Sequence, residues 1–297
     1  MVRSGGTVTH PDSPGAGGRV VVVTGASDGV GEAAALALAR TGDQVVVVGR
    51  SPAKTRAVAA SVGAAAGSPV RHHTVDFADL GQVRELGAEL AATHERIDVL
   101  VDNAGLIAGR RTVTGDGHEL TMQVNHLGPY LLTRLLRDPL VAAGGRVIVT
   151  ASAAGSGSRA VLDLDDLENE KDYTPLRAYA RSKLANVVFA RELATRWGPD
   201  GVTAASFHPG LVRSRFGSSS TRLVRVVLAS PVRLLMRSPE IGADTMVWLA
   251  TSTPEVDWRS GGYYADRSPA QTHPQADDPI VAAQLWERSA ELVGLPA

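Results

Sequence analysis

Eight residues, Thr24-Gly25-Ala26-Ser27-Asp28-Gly29-Val30-Gly31, constrain this chain more than any other stretch. Before them runs Val20-Val21-Val22-Val23, a β-branched run that favours a strand. After them comes Glu32-Ala33-Ala34-Ala35-Leu36-Ala37-Leu38-Ala39-Arg40, rich in strong helix formers. Strand, glycine turn and helix in that order is the setting that gives a glycine motif meaning. Gly25 permits a tight exit from the strand, Gly29 lets backbone N–H groups approach a pyrophosphate, and Gly31 lets the helix pack closely. Phosphates would sit at the helix N-terminus, where unpaired N–H donors and the helix dipole favour an anion.

The spacing is Gly-x-x-x-Gly-x-Gly, and the same letters admit two other readings. Gly25-Ala26-Ser27-Asp28-Gly29 also matches Gly-x-Ser-x-Gly, the nucleophile elbow of α/β-hydrolases, which likewise joins a strand to a helix. That reading needs an oxyanion-hole donor from an earlier strand. No strand precedes Val20, and Gly31 is left unexplained. The other reading is a structural glycine turn without a cofactor. The rest of the chain has to decide.

At 297 residues the chain can form one large domain or two small ones. Hydrophobic residues make up 44%, enough for a sizeable core. Lys plus Arg number 30 and Asp plus Glu 31, so charge gives no reason to expect nucleic acid. The absence of cysteine removes disulfides, thiolate metal sites and cysteine nucleophiles, and fits a reducing compartment. Residues 1–18 are rich in Gly, Ser, Thr and Pro, lack the apolar segment of a secretory signal, and read as a flexible tail. No apolar run reaches the ~20 residues that cross a bilayer. The expectation is a soluble, cytoplasmic protein.

Gln44–Gly49 reads as a second buried strand with Arg50 at its end. In dinucleotide folds that end faces the adenosine ribose. An acid there binds the 2′-hydroxyl of NAD; an Arg accommodates the 2′-phosphate of NADP. Gly49-Arg50-Ser51 offers a guanidinium and no acid, which favours NADP over a merely solvated arginine. Pro52–Val62 reads as helix, and Val70–Val75 as a third strand ending in Asp76-Phe77. Asp79 is a natural N-cap for a helix to about His94. Ile97–Val101 is a fourth strand. Asp102-Asn103-Ala104-Gly105 follows, with small residues that let a flat ring or sugar pass close to the backbone. Gly115–Asp138 reads as one long helical stretch. Asn125 lies within it beside Gly128-Pro129, either patching a kink or serving chemistry.

Arg146–Thr150 is a fifth strand, and Ser152 stands just past its end, where doubly wound folds bind ligands. Asp163–Lys171 is an acidic insertion, read as a solvated loop with a helical turn and without a metal site because its acids lack matching histidines. Thr174-Pro175 supplies an N-cap and a Pro at the first helical position. Tyr179 and Lys183, four apart, share one face of that helix. Val202–Phe207 is a sixth strand, and Pro209-Gly210 turns the chain after it. Residues 217–238 carry apolar clusters among arginines. They read as a lid, a lipid-touching surface or an ordinary core helix. Pro239–Thr251 is helical, Gly262-Tyr263-Tyr264 a seventh strand and Ile280–Leu292 a last helix. The fold class is α/β. A single doubly wound, Rossmann-type domain is expected over 19–297, its seven-stranded, mostly parallel sheet flanked by helices on both faces.

Taken in order, the glycine turn, Asn-Ala-Gly, Asn, strand-end Ser and Tyr-x-x-x-Lys resemble a classical short-chain dehydrogenase/reductase over residues 19 to 294. Val124-Asn125-His126-Leu127-Gly128-Pro129-Tyr130-Leu131-Leu132-Thr133 and Ala178-Tyr179-Ala180-Arg181-Ser182-Lys183-Leu184-Ala185-Asn186 look like the retinol-dehydrogenase-like branch. So does the long acidic spacer between Ser152 and Tyr179. Asp102 departs from the family pattern, which has Asn there. The resemblance implies Asn125, Ser152, Tyr179 and Lys183 as the catalytic group. It implies cofactor contacts from Gly25, Ser27, Asp28, Gly29, Val30 and Gly31, from Arg50, and from Asp76 and Phe77 beside the adenine. Asn103, Ala104, Gly105, Tyr179, Lys183, Pro209, Gly210 and Val212 complete the implied set, with a substrate loop or lid over about 211–240.

A free phenol, with a pKa near ~10, is a poor base at neutral pH, and a cation one helical turn away lowers that value. Tyr179 is therefore expected to act as acid/base, with Lys183 as that cation and Ser152 holding the substrate oxygen. The resemblance adds that Lys183 bonds the nicotinamide ribose and that Asn125 holds a relaying water. The expected protein is an NADP(H)-preferring oxidoreductase, with NAD(H) also usable. It acts on an alcohol/carbonyl pair of an apolar small molecule. The competing reading is a dinucleotide-binding sensor or scaffold without turnover. Peripheral membrane contact through 217–238 and a homo-oligomer, common among similar proteins, are further expectations.

Overall fold

Valine builds the centre of the sheet. Val21, Val22 and Val23, Val45 to Val48, and Val99 and Val101 are each no more than 3% exposed. Burial on both faces is what near-continuous apolar runs in parallel strands require. The computed structural model describes residues 18–157, 160–212 and 236–296, and strands and helices alternate through it. The first half runs β1 (Val20–Val23), α1 (Gly29–Arg40), β2 (Gln44–Gly49), α2 (Pro52–Ala66), β3 (His72–Thr74), α3 (Leu80–Thr93) and β4 (Val99–Asp102). It continues with α4 (Gly128–Leu135), α5 (Arg137–Ala143), β5 (Arg146–Thr150), α6 (Pro175–Trp197) and β6 (Thr203–Phe207). α7 (Pro239–Thr251), β7 (Tyr263–Ala265), β8 (Ser268–Pro269) and α8 (Pro279–Leu292) complete it. Residues 1–17 of the expected tail and 213–235 of the expected lid lie outside the described residues.

The strand order is β3-β2-β1-β4-β5-β6-β7-β8, parallel from β3 to β7. Leu38 of α1, Val58 and Val62 of α2, and Met246 and Leu249 of α7 cover one face. Leu86 and Leu90 of α3, Leu131 of α4, Leu184 and Val188 of α6 and Trp286 of α8 cover the other. Each such side chain contributes about 1.5–3 kcal/mol by leaving water. The order reverses between β1 and β4, so the crevice for a ligand opens beyond their C-terminal ends.

Eight strands replace the expected seven. The extra one, β8, pairs antiparallel with β7 across Asp266-Arg267, whose φ values are 49° and 58°. A two-residue hairpin of this kind normally advertises itself with Asn-Gly or Asp-Gly. Here ion pairs from Asp266 to Arg237 and from Arg267 to Asp244 flank the turn instead. β3 is shorter than Val70–Val75, although Arg71 and Val75 still bond β2.

The expected single helix over 115–138 is broken. Thr114 N–H bonds the His118 carbonyl in a turn, and Gly117 has φ +91°. The helix starts at Leu120, where the buried Glu119 carboxylate accepts the Thr121 and Met122 N–H groups at 2.9 Å each. It then widens into a π turn over Gln123–Leu127 before α4. Pro129 has no N–H to give the Asn125 carbonyl four residues back, which is reason enough for an α-helix to lose register there. The acidic insertion is not a solvated loop either. Asp166, Leu167 and Asn169 are buried, and Glu168 Oε1 meets His118 Nδ1 at 2.8 Å. His118 lies 50 residues upstream of Glu168. Among the described residues no helix is long and apolar enough to cross a membrane.

Candidate active site

Gly25 leaves β1 with φ +63°, and a Cβ there would stand 2.8 Å from Ala104 Cα. Gly29 follows with φ +60°. A Cβ on Gly31 would meet the Gly25 carbonyl oxygen at 2.5 Å and Asn103 Nδ2 at 2.6 Å. Asn103 closes this lock: its Nδ2 donates to the Thr24 and Gly25 carbonyls at 3.1 and 3.3 Å. All three glycines are therefore required by conformation or close approach. Asp28 is the N-cap of α1 but makes no side-chain cap bond. Its carboxylate is drawn aside to Lys54 Nζ at 2.7 Å. The first turn of α1 thus keeps N–H donors for an anion.

Past β5, Ser152 caps a short turn, accepting the Ala154 N–H at 3.2 Å. Gly155 presses that turn onto α6; a Cβ would sit 2.8 Å from Leu184 N. α6 begins as expected, Thr174 Oγ1 accepting the Arg177 N–H with Pro175 in the first turn. This contact sets Ser152 in hydrogen-bond reach of the Tyr179 phenol. Lys183, 2% exposed, donates Nζ to the Thr150 carbonyl at 2.9 Å, with Nζ 5.8 Å from the Tyr179 ring centroid. Asn125, fully buried, accepts the Leu106 N–H at 2.7 Å and donates to the Leu106 carbonyl and to Ser182 Oγ. A Cβ on Gly105 would lie 3.2 Å from Asn125 Oδ1 and 3.5 Å from Lys183 Nζ, so the loop after β4 passes directly in front of both.

The electrostatics differ from the simple expectation. Burial pushes the Tyr179 phenol up to about 12, against a smaller opposing effect of the Ser152 hydrogen bond. Burial brings the Lys183 ammonium down to about 7. The expected lowering of the phenol by Lys183 is therefore absent: burial raises the phenol, and burial also disfavours the lysine's own charge. Asp102, the departure from the family's Asn, is 2% exposed. Its Oδ2 accepts the Thr133 hydroxyl at 2.8 Å, Oδ1 has no partner among the described residues, and burial raises the carboxyl to about 7.

The remaining residues divide. Arg50 is exposed at the end of β2 and makes no hydrogen bond or ion pair among the described residues. Gly49 there packs on Ser27, whose Cβ would lie 2.6 Å from an added Cβ. Asp76 spends one oxygen on the Ala78 N–H, as a turn residue does. The Phe77 ring is buried against Gly128 and its carbonyl accepts from Gln123 Nε2 at 3.3 Å, so the residue belongs to the core. Ala104 packs on Gly25, Val212 lies on Gly242 near Val30, and Gly210 has φ +74° after Pro209. Sequence reasoning missed Thr150, Ser156 and Tyr263. Thr150 Oγ1 donates to Asn103 Oδ1 at 3.3 Å while its carbonyl holds Lys183. Ser156 Oγ donates to the buried Tyr263 hydroxyl at 3.4 Å, and that phenol is near enough to Tyr179 to oppose its ionisation. Thr150 has no signal in the letters, because a carbonyl does its work. Tyr263 read only as a strand residue.

An uncapped helix end behind a locked glycine turn, a cation holding aside the nearby acid, and a buried Lys183 beside half-buried Ser152 and Tyr179 across the crevice fit a dinucleotide. Residues 19–164 match the short chain dehydrogenase family. A Streptomyces protein provisionally named a daunorubicin C-13 ketoreductase is 46% identical over 280 residues, covering 93% of each chain. Human retinol dehydrogenase 13 is 37% identical over 94% of this chain and 86% of its own. Among solved structures, an uncharacterised protein from Mycobacterium paratuberculosis superposes with TM-score 0.73 at 29% identity, over 96% of this chain and 97% of that one. An alcohol dehydrogenase from Thermococcus sibiricus, complexed with 5-hydroxy-NADP, gives TM-score 0.62 at 26% identity, over 79% and 91%. The chain belongs to the short-chain dehydrogenase/reductase family, in its retinol-dehydrogenase-like branch, and is an NAD(P)-dependent oxidoreductase of alcohol and carbonyl groups.

Proposed function

We propose that the protein prefers NADP(H) and acts on a lipophilic alcohol/carbonyl pair, with Tyr179 as acid/base and Ser152, Lys183 and Asn125 in support. The juxtaposition of Ser152, Tyr179 and Lys183 around the end of β5 carries this reading. The bound nicotinamide supplies or receives the hydride. Tyr179, held protonated by burial, donates to a carbonyl oxygen as negative charge grows on it. Ser152 Oγ takes its own bond from Ala154 N–H, which leaves its proton to share with that oxygen. The phenolate left behind needs a cation. Two unit charges about 6 Å apart attract by roughly 3 kcal/mol at an effective dielectric of about 20. Burial penalises the phenolate by a similar amount, since about 1.4 kcal/mol attends each pH unit. A charged Lys183 therefore nearly cancels the burial penalty. Asn125 holds the Leu106 backbone, and with it the loop that passes Lys183.

Arg50, exposed and without a partner among the described residues, supports the 2′-phosphate reading. Two relatives carry names of lipophilic substrates, retinol and daunorubicin, and Leu211 is 57% exposed beside Gly210. Tyr179→Phe should abolish reduction of an aromatic or polyene carbonyl panel while NADPH binding by calorimetry stays near wild type. Unchanged turnover removes Tyr179 from the chemistry.

A further inference from the structure

A buried chain of hydrogen bonds reaches Lys183 from α8. Lys183 Nζ donates to the Thr150 carbonyl at 2.9 Å, and Asn186 Nδ2 donates to the same oxygen at 3.0 Å. Asn186 Oδ1 faces His126 Nδ1 at 3.3 Å, and His126 Nε2 faces Ser289 Oγ at 2.9 Å. Lys183, Asn186, His126 and Ser289 are each no more than 2% exposed.

Donor and acceptor roles follow from the groups themselves. The Thr150 carbonyl only accepts, so Asn186 turns its nitrogen to it and its oxygen to His126. An amide oxygen accepts, so His126 Nδ1 carries the proton. In the neutral ring Nε2 then accepts the Ser289 hydroxyl proton. Burial keeps the ring neutral, bringing it down to about 4, and the nearby Lys183 charge acts in the same direction.

We propose that His126 and Asn186 are positioning residues for Lys183, fixing the Thr150 carbonyl so that its remaining lone pair receives the ammonium in one direction. This rests on the reading of Lys183 as partner of Tyr179. His126 follows Asn125 in the π turn, and Asn186 lies three residues beyond Lys183 on α6. The network therefore joins both helices at the level of the ammonium. With Asn186 removed, two lone pairs compete for Nζ and its position spreads. A misplacement of about 1 Å can cost on the order of a hundredfold in rate.

Two conservative variants separate positioning from packing. His126→Asn puts an amide N–H near Nδ1 and keeps the donor. His126→Gln fills more volume but puts its amide near Nε2 and loses that donor. His126→Gln and Asn186→Ala should lower kcat about 10- to 100-fold and displace its pH profile, with His126→Asn within about threefold of wild type. NMR of the ring nitrogens reads the arrangement without turnover: the proton should stay on Nδ1, with Nε2 bare, from about pH 5 to about pH 8. A proton on Nε2 overturns the proposal. So does a His126→Gln protein that folds and keeps the wild-type kcat and pH profile. Should Asn186→Ala fail to fold, the Asn/Gln pair and the ring nitrogens still decide. Lys183→Met separates the two levels of the argument. Retained turnover there removes the role of Lys183 itself; lost turnover beside a fully active His126→Gln removes only the positioning.

Discussion

Asp102→Asn should stabilise the protein by an amount that grows with pH. The carboxyl is buried beside β1 and β5, with Thr133 as its one hydrogen-bond donor and Oδ1 unpartnered. Burial raises it from 3.8 to about 7. Between those values the unfolded chain ionises Asp102 while the folded protein keeps the proton. Stability is therefore complete below about pH 4, falls as pH rises toward 7, and levels above it. At about 1.4 kcal/mol for each pH unit, the full cost has a ceiling of about 4 kcal/mol, a large part of a typical domain's 5–15.

Asn cannot ionise, so the variant escapes this cost. At acid pH the two side chains are nearly equivalent, because a protonated carboxyl and an amide each bring a donor to the unpartnered position. All other titrating groups are shared and cancel in the difference. Urea unfolding of both proteins at about pH 5 and about pH 8 measures it. The advantage of Asp102→Asn should be about 3 kcal/mol larger at the higher pH, about 1 M in midpoint for a slope of about 3 kcal/mol per molar. An equal difference at the two pH values would mean that Asp102 is ionised in the folded protein, and the reasoning fails.

Gly31→Ala forces a Cβ to 2.5 Å from the Gly25 carbonyl and should cost about 1–3 kcal/mol of stability with at least a tenfold loss of NADPH affinity, read by thermal melts and calorimetry. Arg50→Ala should weaken NADPH binding by about tenfold or more and leave NADH unchanged, because a charged hydrogen bond is worth about 1.5–3 kcal/mol; equal effects on both would remove Arg50 from the 2′-phosphate. The Glu168 hydrogen bond raises His118, so that pair stabilises fully below about pH 6.5 and its contribution is lost as pH rises through the higher folded value. The melting midpoint of the wild type should accordingly fall more from about pH 6 to about pH 8 than that of His118→Gln.

Much of the fold was legible because its signals are local. The glycine turn, the caps at Asp79 and Thr174, and the bounds of β2 and β5 each rest on residues within a few positions of one another. The seven expected strands are present, β1, β2 and β4 on valine-rich runs and β7 on Tyr263-Tyr264. What escaped depends on distance or on the backbone. Pro129 acts four residues back, so a helix that looked continuous contains a π turn at Asn125. Glu168 finds its histidine across 50 residues, turning an apparent loop into a fastened segment. The hairpin at Asp266-Arg267 uses left-handed residues without a glycine to announce them. Tyr179 and Lys183 were legible as a pair, but their ionisation was not, because four-residue spacing says nothing of how much protein closes over them.

Thr150 ties the glycine turn to the helix that carries Tyr179 and Lys183. Its hydroxyl bonds Asn103, which locks the turn after β1; its carbonyl bonds Lys183 and Asn186 of α6. β5 is paired along its length with β4 and β6, so Thr150 cannot slide without breaking two ladders. The turn and the ammonium are thus set apart by strand spacing, about 4.8 Å for each step across the sheet, rather than by any loop. The loop after β6 can then change length or composition while Tyr179 and Lys183 stay where β5 and α6 put them.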